Sequence, residues 1–199
     1  MAKGEETRQT ILARAFELAN VVGVSGLSIG RLAEATGLSK SGLFAHFGSK
    51  EALEVAVVEE GARLFLQEVM LPALREARGE PRVRAMFEHW TAWGDRPGGC
   101  FFVGASAELD DRPGPARDAM VRALKDWVDA LATAARIAVT EGHFRSDLDP
   151  EQFAFEMYAI MIGAHTFLRF LREPDAVART RKAFERLVST ARAMRGRSV

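Results

Sequence analysis

SIGRLAEATGLSKSGLFAHF, residues 28–47, is the stretch that decides the fold of this chain. Its apolar side chains recur at helical spacing on both sides of Gly37, which predicts a pair of helices of about two turns each. Gly37 can adopt a positive φ without strain and can therefore turn the chain sharply after the first helix. Ser39 is a favourable N-cap for the second helix. The stretch predicts a helix-turn-helix motif.

Helices this short bury too little apolar surface to be stable on their own, so a further helix must pack behind them. The preceding segment, residues 7–22, supplies that helix. Its residues Ile11, Phe16 and Ala19 recur at helical spacing before Gly23 stops the pattern. We therefore predict an N-terminal head of three helices.

The run from Gly26 to Leu53, GLSIGRLAEATGLSKSGLFAHFGSKEAL, resembles the DNA-binding head of the tetracycline-repressor-type (TetR/AcrR) family. The family pattern is a Gly-x-Ser/Thr start, the short helix pair, and a closing His-Phe-x-(Ser/Asp)-Lys-x-x-Leu, which here is residues 46–53. The resemblance implies an all-α protein with a helix-turn-helix DNA-binding domain at residues 1–48. Residues 49–199 would form a helical ligand-binding and dimerisation domain.

The same resemblance implies a function. Proteins of this family are mostly homodimeric repressors that bind a palindromic operator and leave it when a small molecule enters the C-terminal domain. The expected partners are therefore double-stranded operator DNA, a second copy of the chain, and a small-molecule inducer of unknown identity.

Composition and charge limit the remaining possibilities. A chain of 199 residues with 48% apolar residues can hold a small head and one larger body. Lys plus Arg equals Asp plus Glu at 27 each, and residues 1–50 carry a formal charge of only +2. DNA binding must therefore depend on where the cations lie rather than on their number. No apolar run is long enough for a signal peptide or a membrane span, so no membrane partner is expected.

Cys100 is the single cysteine of the chain. It excludes an intrachain disulfide and favours a cytoplasmic setting. Cys100 lies beside glycines, and a redox-sensing thiol is one interpretation of this position. The favoured interpretation is that Cys100 is a small buried hydrophobic residue.

The cations of the head are well placed for DNA. Lys40 begins the second motif helix, which in such motifs enters the major groove and presents its first residues to base edges. Lys50 lies in the first turn of the next helix, where its ammonium and the backbone N–H groups could share a phosphate. A solvated surface side chain is the alternative at each position. The predicted DNA-binding residues are Ser28, Arg31, Ser39, Lys40, Ser41, Gly42, Phe44, His46 and Lys50.

Phe44 departs from the family pattern, in which tyrosine is common at this position and contacts a phosphate through its hydroxyl. Phenylalanine cannot donate that hydrogen bond. Contact with a thymine methyl, contact with a sugar, and plain packing remain as alternatives for Phe44.

The last two predicted helices indicate self-association. The helix that begins near Pro150 is apolar on two sides, and the final helix carries apolar residues at alternating steps of three and four. We expect both helices to pair with their copies in a four-helix interface that sets two heads about 34–36 Å apart, or a multiple of that distance. A large monomeric core is the alternative. The predicted interface residues are Phe155, Ile162, Thr166, Phe170, Val177, Thr180, Phe184, Leu187, Ala191 and Met194.

Aromatic residues of the body are candidates for a cavity that holds a small apolar or aromatic ligand, with His89, Tyr158 and His165 as polar groups that orient it. Aromatic residues at helical spacing also form ordinary core, which is the alternative for each of them. The predicted pocket residues are Phe65, Phe87, His89, Trp90, Trp93, Phe101, Phe102, Trp127, Tyr158, Met161 and His165.

Catalytic machinery is not expected. The histidines are scattered and none is at metal-ligand spacing from a second histidine or cysteine, so neither a metal site nor a cofactor is expected. Phosphate-binding glycine loops and nucleophile elbows are missing from the sequence. The rival hypothesis is an all-helical small-molecule-binding protein or enzyme whose head no longer binds DNA.

Overall fold

The computed structural model describes the backbone of residues 2–193 and the side chains of residues 8–193. Within this range the regular secondary structure is helical, and no strand forms apart from an isolated bridge between Phe144 and Arg192. The predicted all-α class is therefore confirmed. The helices are α1 (Ala2–Val22), α2 (Ile29–Thr36), α3 (Lys40–Phe47), α4 (Lys50–Phe65), α5 (Leu71–Arg75), α6 (Glu80–Gly94), α7 (Phe101–Leu109), α8 (Pro115–Thr140), α9 (Pro150–His165) and α10 (Ala176–Ala191), with π-helical turns at Leu66–Met70 and Thr166–Phe170.

Local sequence accounts for most helix ends. Gly37 follows α2 with φ of 69°, and Gly142 follows α8 with φ of 72°. This left-handed backbone is adopted readily by glycine and ends a helix. Asp149 caps α9 by accepting the N–H groups of Glu151 and Gln152, both at 3.0 Å.

The segment after α4 differs from a regular helix. The sequence predicts one helix from Lys50 towards Met70 with a break at Pro72, but the structure changes to a π-helical turn at Leu66. Pro72 has no N–H to donate to the preceding turn, and the irregular turn just before it accommodates that loss.

The chain forms two compact units. The first unit comprises Met1–Leu66 and Gly94–Leu124, and the second comprises Gln67–Trp93 and Lys125–Val199. The first unit thus combines the three-helix head with α4, α7 and the start of α8. The domain boundary predicted after residue 48 does not coincide with these units and stays a prediction.

The core of the first unit is aromatic. Phe16 of α1 lies 5.0 Å from Phe101 of α7 between ring centroids, and Phe65 meets Phe102 edge-on at 5.3 Å. Gly61 makes the close approach possible, because a Cβ there would lie 2.9 Å from the Phe16 ring. This packing joins α1, α4 and α7 within the unit.

The core of the second unit contains a parallel ring stack of Phe87 on Phe184, with centroids 3.9 Å apart. Phe144 and Phe153 pack at 5.2 Å. At the edge of this core, Glu80 of α6 accepts hydrogen bonds from Arg84 at 2.7 Å and from Arg192 at 2.6 Å.

Candidate nucleic-acid interface

Serine caps fix the start of each helix in and after the motif. The Oγ of Ser28 accepts the N–H of Arg31 at 3.2 Å, and the Oγ of Ser39 accepts the N–H of Gly42 at 3.1 Å. Ser49 likewise caps α4. A hydroxyl that accepts one hydrogen bond can still donate its own hydrogen. Ser28 and Ser39 can therefore combine capping with the predicted contact to DNA.

The apolar side chains on the inner side of the motif are buried. Leu32 of α2 and Leu43 of α3 are fully buried, and Phe47 is 6% exposed. Arg8 of α1 lies over the Phe47 ring, 5.6 Å from its centroid. The apolar spacing thus packs α2 onto α1 and packs α3 onto α2 and α4, and it leaves the opposite side of α3 to solvent.

The outer side of α3 carries a cation, small residues and an aromatic ring, all exposed to solvent. Lys40, Ser41, Gly42 and Phe44 are all exposed, and 56% of Phe44 is accessible. At this exposure Phe44 is not part of the buried core of the head. Small residues at the start of the helix allow the backbone to approach a base or phosphate closely.

The residues predicted to flank α3 on the DNA surface differ in their surroundings. Arg31 is exposed on α2, whereas His46 is half-buried with its ring 6.4 Å from that of Phe47. The side chain of Lys40 lies along α2, since a Cβ added to Gly30 would be 3.8 Å from its Cε.

Lys50 takes part in an ionic network that the sequence analysis missed. Its Nζ donates to the carbonyl of Ser25 at 3.0 Å and lies 3.6 Å from Oε1 of Glu54. Arg112, from the loop between α7 and α8, is 3.6 Å from Oε2 of Glu54 and donates to the hydroxyl of Ser25. Glu108 of α7 accepts the N–H of Ser25 at 3.0 Å.

The signal that could have indicated this network is the position of Glu54. It follows Leu53 on the apolar side of α4 and lies one helical turn after Lys50. The participation of Arg112 has no comparable local signal.

The predicted ligand-pocket residues fall into both units. Phe65, Phe101 and Phe102 pack on one another in the first unit, and each is almost fully buried. The remaining residues belong to the second unit, where the phenylalanine, tryptophan and methionine side chains are buried and the histidines and Tyr158 are half-buried. Burial, with a smaller contribution from Arg169, lowers the pKa of His165, so that its imidazole is neutral at pH 7.

Concave surfaces occur in each unit. A cavity of about 190 Å³ in the first unit includes Phe101 of the predicted pocket and is lined in part by Asn20, Cys100 and Glu108. A groove of about 320 Å³ in the second unit is formed by α9, the following π turn and α10, and includes none of the predicted pocket residues. Cys100 is buried, at 3% exposure, in keeping with a small apolar residue.

The predicted interface residues divide by exposure. Phe155, Ile162, Phe170 and Val177 are exposed at 66%, 41%, 84% and 46%, an unusual degree for large apolar side chains. Thr166 is exposed and Thr180 is half-buried. In contrast, Phe184, Leu187 and Ala191 are buried inside the second unit, so they contribute to its core instead of an exposed seam. Met194 lies outside the described residues.

The part of the chain that the structure describes contains neither a metal-binding cluster nor a membrane-spanning helix. In that part of the chain, no group of histidine, cysteine, aspartate and glutamate side chains is arranged to hold a metal ion. Of the helices described, none combines the length and apolar character needed to cross a bilayer.

A capped helix-turn-helix with an exposed second helix, joined to a helical body, defines the class of helix-turn-helix DNA-binding regulators. Two family profiles match the chain. The profile of the bacterial regulatory proteins of the tetR family matches residues 11–57. The profile of the tetracyclin repressor-like C-terminal domain matches residues 79–184. The second profile covers more than half of the chain, and the chain belongs to the TetR family. It is a DNA-binding regulator with a ligand-binding domain, and such regulators are generally not enzymes.

Solved structures agree with this fold. A TetR regulator from Chloroflexus aurantiacus is 28% identical, with a TM-score of 0.84 over 95% of this chain and 96% of that one. A TetR-family regulator from Cytophaga hutchinsonii is 24% identical, with a TM-score of 0.85 over 98% of this chain and 99% of that one. AibR, solved with isovaleryl coenzyme A and operator DNA, is 24% identical, with a TM-score of 0.71 over 92% of this chain and 97% of that one. No curated protein sequence matches the chain.

Proposed function

We propose that the protein is a homodimeric repressor that binds a palindromic operator and leaves it when a small apolar or aromatic ligand enters its helical body. The observation that carries this proposal is the solvent face of α3. Lys40, Ser41 and Phe44 stand exposed on a helix whose start is capped by Ser39 and whose inner side is held by Leu43. A cytoplasmic location belongs to the proposal, because the operator is chromosomal DNA.

In this proposal, α3 lies in the major groove. Lys40 and Ser41 offer donors to base edges, and Phe44 offers an apolar contact. Arg31, His46, Lys50 and the capping serines contact phosphates, which fix the register of the helix on the duplex.

The exposed apolar face of the second unit supports self-association. Phe155, Ile162 and Phe170 lie on α9 and its π turn, and Val177 lies on α10. A second copy of the same face would remove these side chains from water in an isologous contact with twofold symmetry. Such a dimer presents a pair of heads to a palindrome.

The small-molecule part of the proposal draws on the buried aromatic side chains of the body and on the similar structures. AibR was solved with both isovaleryl coenzyme A and operator DNA, and a related regulator from Saccharomonospora viridis was solved with choline. The aromatic content of this chain favours an apolar or aromatic guest over a highly charged one.

Selection of duplexes from a random DNA pool, with sizing of the purified protein alongside, tests the proposal. We expect a recovered palindrome and a dimer in solution. A monomer that enriches no duplex above non-specific binding at low salt would contradict the proposal and favour an all-helical small-molecule-binding protein.

A further inference from the structure

Glu54 is a charged side chain in an apolar position of α4. It is 4% exposed, and its Oε1 makes no hydrogen bond. A buried carboxylate is unfavourable unless opposite charge or hydrogen bonds compensate for the lost water. The ion pairs of Glu54 therefore have more consequence than those of a surface glutamate.

Cations from separate parts of the first unit share this carboxylate. Lys50 Nζ is 3.6 Å from Oε1, and Arg112 Nη2 is 3.6 Å from Oε2. Both separations exceed hydrogen-bond length, so neither cation alone fully satisfies Glu54. Lys50 is half exposed and belongs to the predicted DNA surface, whereas Arg112 belongs to the loop after α7.

We propose that Glu54 competes with the DNA backbone for the ammonium of Lys50, and that Arg112 sets the strength of this competition. A phosphate can draw Lys50 away only if Glu54 keeps another counter-charge. Arg112 supplies that charge. If Arg112 is displaced, Glu54 depends on Lys50 alone and holds its ammonium back from DNA. This inference rests on the proposed DNA-binding function.

Arg112 links the competition between Glu54 and DNA for Lys50 to other residues of the first unit. Arg112 also donates to the hydroxyl of Ser25, and Ser25 donates its N–H to Glu108 of α7 at 3.0 Å. Phe101 and Phe102, both in the predicted ligand set, are on the same helix. A ligand that shifts α7 would therefore move Arg112 and Glu108 together and change the availability of Lys50.

A double-mutant cycle on DNA affinity tests the inference, using a duplex selected as above and the full-length variants E54Q, R112Q and E54Q/R112Q. We expect E54Q to bind about five- to tenfold more tightly, because Lys50 is released, and R112Q to bind more weakly by a similar factor. This magnitude is typical for contacting charged residues. In the E54Q background, R112Q should have almost no effect.

Direct contact of Arg112 with DNA predicts a different pattern. R112Q would then weaken binding equally with and without Glu54, and would lower the salt slope by about one in both backgrounds. Additive effects of this kind would overturn the inference. R112K keeps the charge and should bind like the wild type, which controls for a loss of folding in R112Q.

E60Q provides the matched control. Glu60 is also a 4% exposed glutamate on α4, but its partner is Arg63 at 2.6 Å. We expect no change in DNA affinity from E60Q. An unchanged affinity in E54Q would overturn this inference alone, whereas a wild-type protein that binds no duplex would overturn the proposed function and, with it, this inference.

Discussion

Phe44 is a large apolar residue that is exposed on α3, the helix that we propose enters the major groove. More than half of its surface is accessible on the outer side of α3. Thymine is the base that presents a methyl group in the major groove, so an apolar side chain there favours thymine. Each buried carbon of this kind contributes about 0.8 kcal/mol, or about a fourfold change in affinity.

We therefore expect replacement of the contacted thymine by uracil in each half-site to weaken wild-type binding about fourfold per half-site, measured by fluorescence anisotropy. Phe44→Ala should bind both duplexes equally. The exposed Leu38, just before α3, offers a control, because Leu38→Ala should keep the thymine preference. Equal sensitivity to uracil in Phe44→Ala would show that another residue contacts the methyl group.

Replacement of Lys50 and replacement of Lys40 by alanine should affect DNA binding in different ways. Lys50→Ala should weaken binding to all duplexes alike and lower the salt slope by about one, because a phosphate contact carries no sequence information. Lys40→Ala should change the sequence preference instead. The exposed Lys125 of α8 is the control, and Lys125→Ala should leave both affinity and slope unchanged. A sequence-dependent effect of Lys50→Ala would argue against its assignment to a phosphate.

At the scale of single elements, α3 is short and contains Gly42, which lowers helix propensity. The N-cap Ser39 therefore contributes a larger share of the stability of α3 than a cap does in a long helix. Ser39→Ala removes the hydroxyl that accepts the N–H of Gly42, which costs about 1 kcal/mol in thermal or urea unfolding. Ser39→Asp keeps a cap but places a carboxylate beside the DNA. We expect Ser39→Asp to be as stable as the wild type and to lose DNA binding. Unchanged stability of Ser39→Ala would contradict the capping contribution, and poor DNA binding in that variant would leave the proposed DNA contact as the role of Ser39.

The elements also show how far sequence reasoning reaches. The C-terminal end of α2 depends on Gly37 and the start of α3 on Ser39, and because both effects are local, the sequence predicts them. The pairing of Glu54 with Arg112 depends on where the α7–α8 loop packs, and no local pattern contains that information. For the same reason, the spacing in α10 does not distinguish an exposed seam from core, and Phe184 proves to be stacked on Phe87.

At the scale of the whole molecule, self-association should depend on the exposed apolar face. Phe170→Glu places a charge on the most exposed large apolar side chain of α9 and its π turn, at 84%. We expect this variant to size as a monomer and to lose most of its affinity for the palindrome. Leu74→Glu, at another exposed leucine of the second unit, should remain dimeric. A dimeric Phe170→Glu with normal affinity would place the interface elsewhere.

Stability at acid pH should depend on Glu80. The hydrogen bond from Arg192, followed by that from Arg84, lowers the pKa of Glu80 from 4.5 to about 2. A lowered pKa in the folded state stabilises the fold above the unfolded pKa, and this contribution is lost as the pH falls from about 4.5 to about 2. Its size is about 2 kcal/mol after allowance for solvent screening.

Glu80→Gln should therefore lower the melting temperature at pH 7, and the difference from the wild type should shrink as the pH falls through this window. Calorimetric scans at several pH values measure the effect. Asp126→Gln, at an exposed acid of α8, is the comparison and should show little change at pH 7. A constant difference between Glu80→Gln and the wild type across the window would mean that the network contributes nothing through charge.

The first unit is built from stretches that are not continuous in sequence, 1–66 and 94–124. This arrangement has a practical consequence for the engineering of hybrid regulators. A chimera that exchanges only residues 1–48 would separate α1 from the α7 residues that pack on it, such as Phe101, and would split Ser25 from Arg112. Exchange of 1–66 together with 94–124 transfers these contacts intact, and is the better way to give this body a new operator.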